Sequence, residues 1–153
     1  MRRVMFSLSP FESSLLDVPR AHRDPICSLI EALSVVALAT ERPIRHSTTA
    51  LLLDAQQCGI GLVRTRLPHR DATHFIISEA SRMNNANAVF VVTTRPQQTV
   101  QFTDGDDFLS MFQLFAHAGI TLTEWVVLGQ GGLYCPRALT DIPSHWATRP
   151  HHR

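Results

Sequence analysis

Apolar residues fall along this chain in two rhythms, one spaced for helices and one bunched for buried strands. Ile26, Leu29, Ile30, Leu33, Val36 and Ala37 recur at helical spacing. They follow Asp24-Pro25, a good helix start because aspartate caps and proline suits the first turn. A helix to about Ala39 is predicted, ended by Glu41-Arg42-Pro43. Two short apolar runs come next, Ala50 to Leu53 and Ile60 to Val63, with the turn-like DAQQCG between them. They predict a β-hairpin whose second strand leaves into RTRLPHR.

Phe75, Ile76, Ala80 and Met83 give residues 73–86 one apolar face and predict a second helix. Ala88 to Val92 is continuously apolar, which predicts a strand central in its sheet. Thr103 precedes a helix carrying Phe108, Leu109, Phe112, Phe115 and Ala116, and Gly119 stops it. Trp125 to Leu128 reads as a strand, GQGG as a tight turn and Leu133 to Cys135 as a final short strand. The order is mixed α and β around one sheet, an α+β arrangement in a single domain over 24–139. Residues 1–23 read as an arginine-bearing lead and 140–153 as a tail with little periodicity.

Composition narrows the chemistry. The net charge of +1 gives no bulk argument for nucleic acid or membrane. All 14 basic residues are arginine, so Schiff-base, pyridoxal-phosphate and phosphate-loop lysines are excluded. Cys27, Cys58 and Cys135 lie far apart without a CxxC, as expected of reduced thiols rather than a disulfide framework. Pro10 and Glu12 interrupt the apolar run a signal peptide needs, and no apolar run approaches the ~20 residues that span a bilayer. A soluble, cytoplasmic protein is expected.

The most informative stretch is the loop between the predicted strand at Val89–Val92 and the helix after Thr103. Strand-to-helix junctions often hold metal, yet this loop offers Thr93, Thr94, Arg95, Pro96, Thr103, Asp104 and Asp106, with no histidine or cysteine. Around it stand Leu52-Leu53-Asp54, then Asn85-Ala86-Asn87-Ala88 before VFVV, then Gly119-Ile120 and Glu124-Trp125-Val126-Val127-Leu128-Gly129. By order and spacing, Thr48 to Leu139 resembles the RadC-like branch of the JAB/MPN metalloprotease superfamily. That resemblance implies a central, mostly antiparallel sheet flanked by helices.

It also implies a metal loop of the form His-x-His-Pro, six residues, then Ser-x-x-Asp, holding zinc with one position open for water. Laid on this chain without a gap, the motif falls on Thr93-Thr94-Arg95-Pro96 and Thr103-Asp104-Gly105-Asp106. The proline and aspartate match, threonine replaces serine, and both histidines are gone. The family's glutamate acid/base would fall near Val63 or Arg64, and there is no glutamate between Glu41 and Glu79. Arg95 would bring a permanent positive charge to a ligand position. An Arg95–Asp106 ion pair is therefore expected to tie loop to helix in place of a metal.

Each signal has a plainer explanation beside it. Thr103 as N-cap with an acidic group three residues on resembles a capping box, which accounts for Asp106 without a ligand role. None of the eight histidines pairs at the i, i+4 spacing of a helical zinc site; His69 and His74 are the candidates for an unrelated site. Arg64, Arg66 and Arg70 form a candidate basic patch, but His69 is the one ring within that run, so base stacking has little support. Glycines in GQGG satisfy a hairpin turn rather than a dinucleotide fingerprint.

The sequence thus leads to a JAB/MPN-like domain without catalytic residues, metal or cofactor, acting as a binding or scaffold module for a protein partner or a second copy. Trp125 and Trp146 are the aromatics to seek at an interface or in the core. Two alternatives stay open: a JAB-type zinc peptidase or isopeptidase with a rearranged site using His69, His74 and Asp106, and a nucleic-acid-associated, DNA-repair-like protein binding through Arg64, Arg66 and Arg70.

Overall fold

Five strands form one mixed sheet in the order β2-β1-β3-β4-β5, in a computed structural model that describes residues 19–37, 46–99 and 101–146. They are β1 (Ser47–Leu53), β2 (Gly59–Thr65), β3 (Ala88–Arg95), β4 (Thr121–Gly129) and β5 (Gly132–Tyr134). Among the described residues three α-helices accompany them, α1 (Leu29–Ala37), α2 (His69–Ala80) and α3 (Asp104–His117), with a 3-10 turn at Pro136–Leu139. The β1–β2, β1–β3 and β4–β5 pairs are antiparallel, while β3 and β4 run parallel. The mixed α/β class and the mostly antiparallel sheet are as expected from the sequence.

Alternation on the pleat divides the core in two. Ala50, Leu52, Val89, Val91, Trp125 and Val127 face α2 and α3, meeting Ala72, Ile76, Phe108, Met111 and Phe115. Leu51, Leu53, Phe90, Val92 and Val126 face the other way, against Ile26, Ala32 and Val36, with Trp146 packed on Phe90 at 5.7 Å between ring centroids. The sheet is therefore the middle layer of three. β3 lies at its centre, and all of its residues are buried.

Helix starts differ from those the sequence predicts. Asp24 does not cap α1; its carboxylate holds Arg20, with Nε to Oδ2 at 2.9 Å. Pro25 bridges Cys58 and the Ile26 N–H donates to the Gln57 carbonyl, so this segment is committed to the β1–β2 turn. The cap is Ser28, whose hydroxyl accepts the Glu31 N–H at 3.3 Å while the Glu31 carboxylate accepts the Cys27 N–H at 2.9 Å. The predicted extension to Ala39 lies outside the described residues. α2 begins at His69 rather than 73 because Pro68 supplies the extended residue before it, and its carbonyl accepts the Ala72 N–H. No helix among the described residues is long and apolar enough to cross a membrane.

Candidate functional site at the β3–α3 junction

Running parallel, β3 and β4 need a crossover, and α3 supplies it; the first turn of α3 is thereby set beside the end of β3. The loop leaves β3 in a turn in which the Gln98 N–H donates to the Arg95 carbonyl, with Pro96 at the second position. The Gln98 carbonyl then accepts the Gln130 N–H at 2.6 Å. Gly129 admits this approach, since a Cβ there would lie 2.5 Å from the Gln98 oxygen.

A bulge supplies the next component. The β3–β4 register shifts between Val89 and Phe90, leaving Thr123 unpaired, with its hydroxyl donating to the Val89 carbonyl at 2.9 Å. The extra residue re-aims the strand: Leu122 and Trp125 both face α2 and α3, although three positions apart. Glu124 is turned away and paired with Arg137, Nε to Oε2 at 3.0 Å.

Trp125 Nε1 donates to Thr93 Oγ1 at 2.9 Å, and Thr93 Oγ1 lies 3.3 Å from Thr48 Oγ1. Thr48 in turn donates to the Leu67 carbonyl at 3.3 Å. With Thr48 donating outward, the Thr93 hydroxyl donates to Thr48 and accepts from Trp125. The result is a chain of hydrogen bonds with one direction. His69 sits on the indole, with ring centroids 4.6 Å apart, and its Nε2 lies 2.9 Å from Asp107 Oδ2. Arg70 holds the other oxygen of Asp107 at 3.2 Å. Burial pulls the His69 pKa below its ordinary value, against the opposing pull of Asp107. The ring is therefore neutral at pH 7, with Nε2–H donating to the carboxylate.

Beside this cluster lies a buried ion pair. Arg95 Nη2 donates to Asp104 Oδ1 at 2.9 Å, and Asp104 Oδ2 accepts from the Gln101 N–H at 2.9 Å and the Tyr134 hydroxyl at 3.1 Å. Burial pushes the Tyr134 pKa up to about 12, so the phenol stays protonated and remains a donor. Arg95 Nε has no partner among the described residues. The expected Arg95–Asp106 pair is thus corrected: the carboxylate belongs to Asp104, and Asp106 is exposed. The expected capping box is corrected too, because Thr103 makes no side-chain cap hydrogen bond.

The other predicted residues scatter. His69 and His74 both lie on α2, and His74 opens into a recess of about 450 Å³ whose lining includes Arg70 and Asp107 together with Asp71, Ser110 and Leu114. Among the described residues no three His, Cys, Asp or Glu side chains converge as a metal group. Arg64 and Arg66 are exposed at the sheet edge, whereas Arg70 is turned to Asp107. Of the two tryptophans, Trp125 is wholly buried. Cys27, Cys58 and Cys135 are free thiols.

The zinc that the family resemblance implies does not fit these residues. Thr93 is engaged with the indole, Arg95 cannot shed its proton to become a ligand, Asp106 at the motif's aspartate position is exposed, and the neighbouring Asp104 carboxylate is occupied by three donors. Sequence reasoning named Asp104 as a loop residue without its role, and missed Asp107 and Tyr134. Counting back one turn from Phe108 and Met111 reaches Asp104 and Asp107, which is the signal that would have found them. No protein-family model matches this chain, and no curated protein matches it.

Proposed function

We propose that this chain is a JAB/MPN-like domain that acts by binding another protein rather than by metal-dependent hydrolysis. The observation that carries the reading is the Arg95–Asp104 pair at 2.9 Å, which sets a guanidinium at the strand-to-helix junction where such domains hold a dication. A fixed cation and a neutralised carboxylate meet the electrostatic need of that junction without supplying a Lewis acid or an activated water. The indole of Trp125 and the ring of His69 fill the adjoining space with hydrogen-bonded aromatic surface. What remains is a frame whose junction is held by the Arg95–Asp104 pair and the Trp125–Thr93 hydrogen bond, suited to presenting surfaces.

The test is elemental analysis after dialysis against zinc, together with a fluorogenic isopeptide assay. The expected result is zinc well below one per chain and no hydrolysis. One zinc per chain, with hydrolysis abolished by a chelator, overturns the proposal in favour of a rearranged JAB-type peptidase.

A further inference from the structure

β5 is the outermost strand beside β4, but it is short: it pairs with Val127, Leu128 and Gly129 and goes no further. Over residues 121–126, β4 therefore has β3 on one side and, among the described residues, no strand on the other. An unpaired strand edge is a template on which another chain can pair. Yet residues 122–126 are all buried.

The cover is the chain's own continuation. After β5, the 3-10 turn at Pro136–Leu139 packs against β4 and α3. Further along, Ile142 joins the core on the α2–α3 side of the sheet, while Cys135 and Trp146 join the core on the α1 side. A segment that touches both layers beside the last strand must pass across the edge between them. His145 meets Phe112 at 5.0 Å between ring centroids, and Trp146 meets Phe90 at 5.7 Å.

One side chain fastens this segment to the strand. Main-chain groups alternate along a strand, and Val127 turns its own towards β5, so Trp125 turns its own towards the unpaired edge. The Trp125 N–H meets no strand there; it donates to Glu124 Oε1 at 3.3 Å. Glu124 Oε2 accepts from Arg137 Nε at 3.0 Å, and Arg137 Nη1 donates to the Ile142 carbonyl at 3.1 Å. Thr140 sets the intervening turn: its hydroxyl donates to the Arg137 carbonyl at 2.7 Å and accepts the Ile142 N–H at 3.1 Å. The Glu124 side chain is 3% exposed and that of Arg137 26%, so water reaches the latch from the arginine side.

We propose that residues 135–146 are a releasable clasp over the edge of β4, latched by Arg137 between Glu124 and Ile142, and that its release turns residues 122–126 into a pairing edge. While the clasp is shut, the carboxylate of Glu124 plugs the edge and the chain is its own occupant. Once it opens, the Trp125 main chain meets another chain, which in a pure sample is a second copy. This goes beyond the binding-module reading and holds whether or not the protein carries zinc.

Amide exchange of the full chain, followed by NMR in urea below the unfolding transition, tests the clasp. The Trp125 N–H should exchange through an opening with a smaller urea dependence than the β3 amides, since release of the clasp exposes less surface than unfolding. Arg137→Ala should quicken Trp125 exchange about tenfold relative to β3, the effect of losing a charged hydrogen-bond donor. Because that change strands the buried Glu124 carboxylate, Glu124→Gln combined with Arg137→Ala is the second variant, and it should show the same selective quickening. In sedimentation the double variant should self-associate more strongly than the wild type. A Trp125 amide that follows β3 in rate and urea dependence overturns the proposal. So does equal quickening of Trp125 and β3 in both variants, or a double variant that associates no more than the wild type.

Discussion

Arg95 and Asp104 lie in contact at 2.9 Å with their side chains only 3% and 0% exposed, across the turn that joins β3 to α3. Neither charge has water to fall back on. Asp104→Ala would leave a buried guanidinium uncompensated, at a cost of about 3–5 kcal/mol. Replacing both, Arg95→Met with Asp104→Leu, removes the desolvation of two ions along with their attraction and should recover most of that loss. Urea denaturation of the two variants checks this; a double variant as unstable as the single one refutes the argument.

The chain of hydroxyls under Trp125 makes a second prediction. Thr93→Val keeps the shape but leaves the buried indole N–H without an acceptor, a loss of about 1–3 kcal/mol. Thr93→Ser, which keeps the oxygen, should cost clearly less. Chemical denaturation followed by tryptophan fluorescence measures both.

His69 predicts how stability depends on pH. Its folded pKa lies below the ordinary value of 6.5, chiefly through burial, so the unfolded chain binds the proton first. The contribution is fully present above pH 6.5 and is lost as pH falls from there towards the folded pKa. The slope is at most about 1.4 kcal/mol per pH unit for one proton. Asp107, Asp104, Arg70 and Arg95 are the charged groups that face or neighbour the ring, and Asp107 acts against the burial. Melting temperatures from pH 8 to pH 5.5 should fall in the wild type and fall less in His69→Gln. Parallel curves would show that another group titrates.

Gly129 carries a steric prediction. A methyl group there meets the Gln98 oxygen at 2.5 Å, and that carbonyl is held by Gln130. Gly129→Ala should cost about 1–3 kcal/mol by overpacking. Amide exchange should quicken at Gln98 and Gln130 before it does in β3, which localises the damage to the turn.

Much of the fold could be read from periodicity, because strands such as Val89–Val92 and helices such as the one after Thr103 carry unbroken patterns. The inward-facing aspartate could not. Phe108, Leu109, Met111, Phe112 and Phe115 make a broad apolar stripe on α3, and such a stripe leaves the rotational phase open by nearly a residue. Docking on the sheet settles it: Phe108, Met111 and Phe115 turn in, Leu109 turns out, and Asp104 rather than Asp106 follows them inward. The bulge at Thr123 has no glycine or proline to announce it, yet it decides which side of the sheet receives Trp125. The candidate site was thus legible as a stretch of chain but not as a set of contacts, since helix phase and strand register are properties of packing.

The position of β3 has a last consequence. Thr93 and Arg95 ride on the strand with a neighbour on each side and no wet residue along its length. Their amides can exchange with solvent only when the whole molecule opens, so the slowest-exchanging hydrogens should map onto this strand. The ion pair and the hydroxyl chain anchored there are thereby tied to the opening of the whole sheet.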